Sequence, residues 1–247
     1  KNVDLAMAPV RRRAVIFDLG GVVFDSPIMA IKRFSLARGL EDLNHFLGRS
    51  SVWAAMERSQ ISPAAFPEAV QAEAVERGFA AGAALGAEGW EKLLQEAVLR
   101  NQQPRMLMIR TLQRLRAAGY IVAALTNNVT LEPLPNPAAQ AAREREQAKL
   151  RANFDHFIES SVVGLRKPDP EIYKYALKTI GCTAEEAVFL DDIGKNLKTA
   201  KHLGILTIHV TNDTEDSYKK ALSELQDATG VQLLDKPLDA GPPPARL

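Results

Sequence analysis

Three times along the 247-residue chain a short apolar run stops abruptly at a cluster of polar residues. Ala14-Val15-Ile16-Phe17 ends at Asp18-Leu19-Gly20-Gly21, Ile121-Val122-Ala123-Ala124-Leu125 ends at Thr126-Asn127-Asn128, and Val188-Phe189-Leu190 ends at Asp191-Asp192. Runs this short, bounded by turn-forming residues, read as strands buried on both faces. Helical spacing fills the chain between them: residues 105–118 before Gly119, and a stretch running to Leu203-Gly204 ahead of a further apolar segment at 205–210. Apolar runs alternating with amphipathic segments specify βαβ units and a parallel sheet, hence an α/β fold. In an open sheet of this kind the ligand lies beyond the carboxyl ends of the strands, so clusters far apart in sequence converge on one site.

Between Pro27 and Gln103 the texture changes to Ala, Glu, Arg and Leu at helical spacing, which predicts a helical insertion. Asp25 or Ser26 with Pro27 marks one helix start and Ile61-Ser62-Pro63 another, while the Ala- and Gly-rich residues 78–89 predict a turn or loose connection. Pro133 to Pro137 breaks the chain, residues 138–151 read as a charged, exposed helix, and the Pro-rich end reads as a flexible tail. The balance of 31 basic against 30 acidic residues leaves a charge of +1, which gives no support to nucleic-acid binding. The single cysteine, Cys182, forms no intrachain disulfide and belongs to no zinc-type cluster, which fits a reducing compartment. No apolar run approaches the ~20 residues of a membrane span. The cytoplasm is the default location, and Ala245-Arg246-Leu247 has the small-basic-leucine form of a peroxisomal address. The sequence begins at Lys1, so a segment upstream can be missing from it.

Each polar cluster has a chemical reading and a plain one. Asp18, at the end of a strand and followed by glycines, suits nucleophilic attack, and can equally be a turn aspartate. Thr126 and Asn127 can donate hydrogen bonds to a phosphoryl oxygen or cap a helix. Lys167, ahead of Pro168-Asp169-Pro170, can neutralise a phosphoryl group or be a solvated surface lysine. Asp191 and Asp192, adjacent carboxylates at a strand end, need a cation or a shared proton, and hard oxygen ligands suit Mg²⁺; two helix-capping aspartates are the alternative.

Taken together, and in this order, the four clusters resemble the motifs of the haloacid dehalogenase superfamily. The matching segments are Phe17-Asp18-Leu19-Gly20-Gly21-Val22-Val23, Leu125-Thr126-Asn127-Asn128, Arg166-Lys167-Pro168-Asp169-Pro170-Glu171-Ile172-Tyr173 and Phe189-Leu190-Asp191-Asp192-Ile193-Gly194-Lys195-Asn196-Leu197. Within the superfamily the chain looks most like the phosphatase-type amino-terminal domain of soluble epoxide hydrolases and the related domain fused to some acyl-CoA dehydrogenases. The resemblance implies a Rossmann-like three-layer core with a parallel sheet, built from residues 12–25 and 104–236. A small helical cap (26–103) is inserted after the first strand, and 237–247 form the tail. It implies Mg²⁺-dependent hydrolysis of a small phosphorylated substrate through an aspartyl-phosphate on Asp18, with Thr126, Asn127 and Lys167 holding the phosphoryl group. The metal would be held by Asp18, Asp191, Asp192 and the backbone carbonyl at Gly20.

Position 20 departs from the pattern. Phosphatases of the family usually carry there a second aspartate that protonates the leaving group and deprotonates the attacking water. A positioned acid or base contributes about 10²–10⁴-fold, so its loss predicts weak turnover biased toward acyl or aryl phosphates, and Gly20→Asp should speed alkyl phosphate hydrolysis if the loop accepts the side chain. Asp25, the nearest other acid, reads as a helix cap. Two other readings remain: a catalytically impaired domain that binds a phosphorylated ligand, favoured by Gly20, and a carbon-halogen hydrolase, disfavoured by Asp191-Asp192. Substrate choice falls to the insertion, where Trp53, Phe66, Phe79 and Trp90 line an apolar cavity or form the insertion's own core. The epoxide hydrolase resemblance suggests lipid phosphates.

Overall fold

Alternation along the short apolar runs splits their side chains between two cores. Val15 and Phe17 of strand β1 (Ala14–Phe17) face one side with Val122 and Ala124 of β2 (Ile121–Thr126) and Val188 and Leu190 of β4 (Ala187–Asp191). Ala14, Ile16, Ala123, Leu125, Ala187 and Phe189 face the other. A strand that buries both faces needs cover on both, and the intervening helices supply it. Helices α6 (Met106–Ala117) and α11 (Glu215–Thr229) pack Met108, Leu112, Leu115, Leu222 and Leu225 on the first face. Helices α9 (Pro170–Ile180) and α10 (Gly194–His202) pack Ile172, Ala176, Leu197 and Ala200 on the second. The result, in a computed structural model that describes residues 11–41, 43–97, 103–211 and 214–234, is a three-layer α/β sandwich.

Its five parallel strands run in the order β3-β2-β1-β4-β5, with β3 at His156–Glu159 and β5 at Leu206–His209. The apolar stretch at 205–210 thus becomes β5. Strand β3 gave no warning in sequence, because His-Phe-Ile-Glu lies at the sheet edge and buries only Ile158. Helix α7 (Pro137–Arg151), capped by the Asn136 side chain, buries no residue, as its charged sequence predicts. A four-residue helix, α8 (Ser160–Val163), follows β3.

Between β1 and α6 the chain forms α1 (Pro27–Ala37), α2 (Leu43–Leu47), α3 (Ser51–Glu57), α4 (Phe66–Glu76) and α5 (Ala80–Ala97). These helices enclose a third core around Phe34, Leu43, Met56, Phe66, Trp90 and Leu94, with Trp53 and Phe79 packed against it. The four aromatic residues are therefore consumed by packing. Two sequence expectations need correction here. Residues 80–89 lie within α5, broken only at Gly86, whose φ of 66° suits glycine, so the expected turn is confined to Gly78, at φ 64°, ahead of the helix. Ser62-Pro63 opens a turn closed by the Ser62 hydroxyl, and α4 begins only at Phe66. The Pro-rich end and the Ala245-Arg246-Leu247 tripeptide lie outside the described residues. Among the described residues no helix is long and apolar enough to cross a membrane.

Phe189 is fully buried and meets the Tyr173 ring edge-on at 5.7 Å. Phe189→Ala is expected to lower unfolding stability by about 3–5 kcal/mol, measured by urea titration.

Candidate active site

Register brings the acids together. Phe17 pairs with Leu190 across β1 and β4, so one residue further on Asp18 stands level with Asp191, and the Asp18 amide donates to the Leu190 carbonyl at 2.8 Å. The same step along β1 and β2 sets Asp18 level with Leu125, one residue short of Thr126. These are neighbouring strand ends at the centre of the sheet, where strand order reverses and open α/β sheets form their crevice.

Lys167 enters this crevice from the loop before α9. Its ammonium is 2.9 Å from Asp18 Oδ1 and 2.7 Å from Asp191 Oδ2, and the residue is 1% exposed. It is no surface lysine. Burial alone would depress its pKa, but the two carboxylates outweigh burial and hold the ammonium above its ordinary value. The Asn127 side chain fixes the backbone here from both ends, accepting from the Lys167 amide and donating to the Lys167 carbonyl, each at 2.9 Å. The sequence offered the Asn127 side-chain amide and backbone N–H as donors to a phosphoryl oxygen; in the structure the side-chain amide is engaged in positioning Lys167. Thr126 is 5% exposed, its hydroxyl making only a long 3.4 Å contact with the Asn127 carbonyl.

Asp191 is completely buried and shares its second oxygen with the Ile193 amide at 2.7 Å and the Asn196 side chain at 3.1 Å. Asp192 receives the Ser26 hydroxyl at 2.8 Å. Asp18, Asp191 and Asp192 each place an oxygen within 4.8 Å of the others. Burial raises Asp18 well above its ordinary value, Asp191 and Asp192 raise it further, and Lys167 offsets only part of this. Burial and then Asp191 push Asp192 up to about 6. Three clustered carboxylates against one ammonium leave an excess of negative charge, all on hard oxygen donors, and this donor set fits a divalent cation such as Mg²⁺.

Position 20 is sterically closed. A Cβ built on Gly20 would stand 2.9 Å from Pro27 Cδ, so the loop has no room for the side chain of Gly20→Asp. Asp25 caps no helix: it pairs with Arg105, and Ser26 is the residue that precedes α1. Sequence reasoning also missed the reach of α3 into the site. Glu57 is buried against Arg166, receives the Trp53 indole at 3.0 Å and lies 3.4 Å from the Asn127 amide nitrogen. Burial raises its carboxyl even with Arg166 beside it. Arg58 pairs with Asp169, and Ser59 meets Thr130 at 2.7 Å. Nothing in the spacing of Glu57 or Ser26 signals these partners, which are 109 and 166 residues away.

Residues 12–204 match the family of haloacid dehalogenase-like hydrolases. Bifunctional epoxide hydrolase 2 of Sus scrofa is 42% identical over 130 residues, covering 53% of this chain and 22% of that protein. Acyl-CoA dehydrogenase family member 10 of Mus musculus is 33% identical over 245 residues, 95% of this chain and 20% of that protein. The chain thus spans about a fifth of the length of either relative. A sesquiterpene phosphatase of Aspergillus oryzae is 29% identical over 205 residues, 81% of this chain and 90% of that one. A haloacid dehalogenase family enzyme of Bacteroides thetaiotaomicron, solved with magnesium and inorganic phosphate, shares the fold with a TM-score of 0.54 and 19% identity, covering 83% of this chain and 96% of that one.

The raised Asp192 carboxyl ties stability to pH. Between its ordinary 3.8 and about 6 the unfolded chain ionises where the folded one does not. Stability from this group is therefore full below pH ~4 and falls as pH rises through about 6, by about 2–3 kcal/mol. Urea titrations in a chelator from pH 4 to 7 should show this loss in the wild type relative to Asp192→Asn, whose profile lacks it; parallel profiles would contradict the assignment.

Proposed function

Because the chain belongs to the haloacid dehalogenase-like hydrolases, we propose that it hydrolyses a small phosphorylated substrate through an aspartyl-phosphate on Asp18. The observation that carries this reading is the Lys167 ammonium, buried between Asp18 and Asp191. An ammonium fixed there neutralises the nucleophile and an incoming phosphoryl oxygen together, while one Asp18 oxygen remains to attack phosphorus. The sesquiterpene phosphatase of Aspergillus oryzae, 90% of whose length this chain covers, supports the same class.

In the first step an Asp18 carboxylate oxygen bonds to phosphorus, and the bond to the leaving oxygen breaks with its electron pair on that oxygen. In the second, water attacks phosphorus, the Asp18–phosphorus bond breaks to restore the carboxylate, and phosphate leaves with the water's remaining oxygen while the proton passes to solvent. Thr126 donates to the phosphoryl oxygens, and Asn127 acts through the Lys167 backbone. Asp18 and Asp192, with the Gly20 carbonyl, would hold Mg²⁺, and Asp191 anchors Lys167 beside them. The ion, when bound, supplies positive charge against the phosphoryl oxygens. With no acid at position 20, the leaving oxygen departs unprotonated and the attacking water is not deprotonated by a side chain there. Acyl and aryl phosphates are therefore the favoured substrates, and the phosphorylated Asp18 is long-lived.

The clustered carboxylates favour this reading over carbon-halogen hydrolysis, which has no use for a divalent cation. Acetyl phosphate should be hydrolysed at least about 10²-fold faster than a simple alkyl phosphate, only with Mg²⁺, and not by Asp18→Asn. Phosphate release for both substrates, with and without the metal, measures this. If neither turns over in any divalent metal while the protein still binds inorganic phosphate, a ligand-binding role replaces the enzymatic one.

A further inference from the structure

Gly20 faces the first residue of α1. Its absent Cβ would lie 2.9 Å from Cδ and 3.3 Å from Cγ of Pro27, where carbon atoms in normal contact sit about 3.5–4.0 Å apart. Backbone conformation does not explain the glycine, because the left-handed turn falls on Gly21, at φ 78°. The constraint is space.

Neither wall of that space yields easily. The pyrrolidine ring is closed onto its own backbone and cannot swing aside as a flexible side chain would. It opens α1, and the residue before it is anchored by the Ser26 hydroxyl to Asp192 at 2.8 Å. On the other wall the amides of Val22, Val23 and Phe24 converge on the Leu19 carbonyl at 3.3, 2.9 and 2.8 Å. The Tyr218 hydroxyl, itself buried, donates to the Gly21 carbonyl at 2.9 Å.

We propose that Pro27 is a specificity-determining residue: its ring excludes any side chain, and with it any proton donor, from position 20. The site is thereby restricted to phosphoryl groups whose leaving oxygen departs without a proton. This rests on the phosphatase reading above. An acyl phosphate meets the restriction, since the electron pair of the broken phosphorus–oxygen bond comes to rest on a carboxylate. An alkyl phosphate would have to expel a strongly basic alkoxide beside an apolar ring.

A double-mutant cycle with Gly20→Asp, Pro27→Ala and the pair tests this, read as alkyl phosphate turnover in Mg²⁺ and as Tm. Gly20→Asp alone is expected to bring no gain and to lower Tm by about 3–8 °C through overpacking. Pro27→Ala alone adds no acid and brings no gain. The pair is expected to recover most of the Tm loss of Gly20→Asp and to raise alkyl phosphate turnover about 10²-fold or more. A full gain from Gly20→Asp alone, a Tm loss undiminished in the pair, or a relieved pair with no gain while the wild type hydrolyses acetyl phosphate would each overturn the role of Pro27. If the wild type leaves acetyl phosphate untouched, the phosphatase reading falls instead, and the Tm cycle still decides whether Pro27 closes position 20.

Discussion

The Lys167 ammonium, lying between Asp18 and Asp191, is the contact on which the arrangement of the site depends. Removing an ammonium from water costs several kcal/mol, and it is tolerated in an interior only where opposite charges meet it in good geometry. Here two strands must end at the same height for this to happen, and the pairing of Phe17 with Leu190 provides it. The loop before α9 must also deliver Lys167 at that height, and Asn127 on β2's continuation holds both the amide and the carbonyl of Lys167 for the purpose. One ion contact therefore joins the ends of β1 and β4 to the α9 loop, and Asn127 ties that loop to β2. Asp192 joins the same cluster, its oxygen within 4.8 Å of one from Asp18 and one from Asp191, and three hard oxygen donors this close suit a divalent cation.

The helices between β1 and α6 bind the sheet mostly by different chemistry from that which holds each part together. Their own core is apolar and built around Phe66, Trp90 and Leu94. Much of what joins them to the strand-end loops is polar: Glu57 with Arg166, Arg58 with Asp169, Ser59 with Thr130, Ser26 with Asp192. Three of these come from consecutive residues at the end of α3. Val129, from the loop after β2, crosses the other way and joins the helical core. These polar contacts set how the helices lie over the strand ends, while the helices pack on one another through an apolar core.

The sheet was legible where both faces are buried, because continuous apolar runs have few other uses in so short a length. Strand β3 escaped notice because an edge strand with one buried side chain carries no such pattern. At the site, Asp18, Thr126, Lys167 and the acidic pair were recognisable from residue types at strand ends. Ser26 and Glu57 were not, since each touches the site from an element whose approach no local spacing encodes. Asp25 illustrates the converse: an acid beside a proline reads as a cap, yet Arg105, 80 residues on, takes it.

Local physics thus settled the parallel sheet, the order of the polar clusters and the presence of strand-end acids with a lysine between them in sequence, because side-chain period and residue chemistry act over a few residues. Tertiary packing decided that Asp18 and Asp191 share Lys167, that Asn127 serves Lys167, and that Pro27 occupies the space beside Gly20. Those outcomes depend on distances of a few tenths of an ångström between segments far apart in the chain, and such distances are set by how whole elements pack.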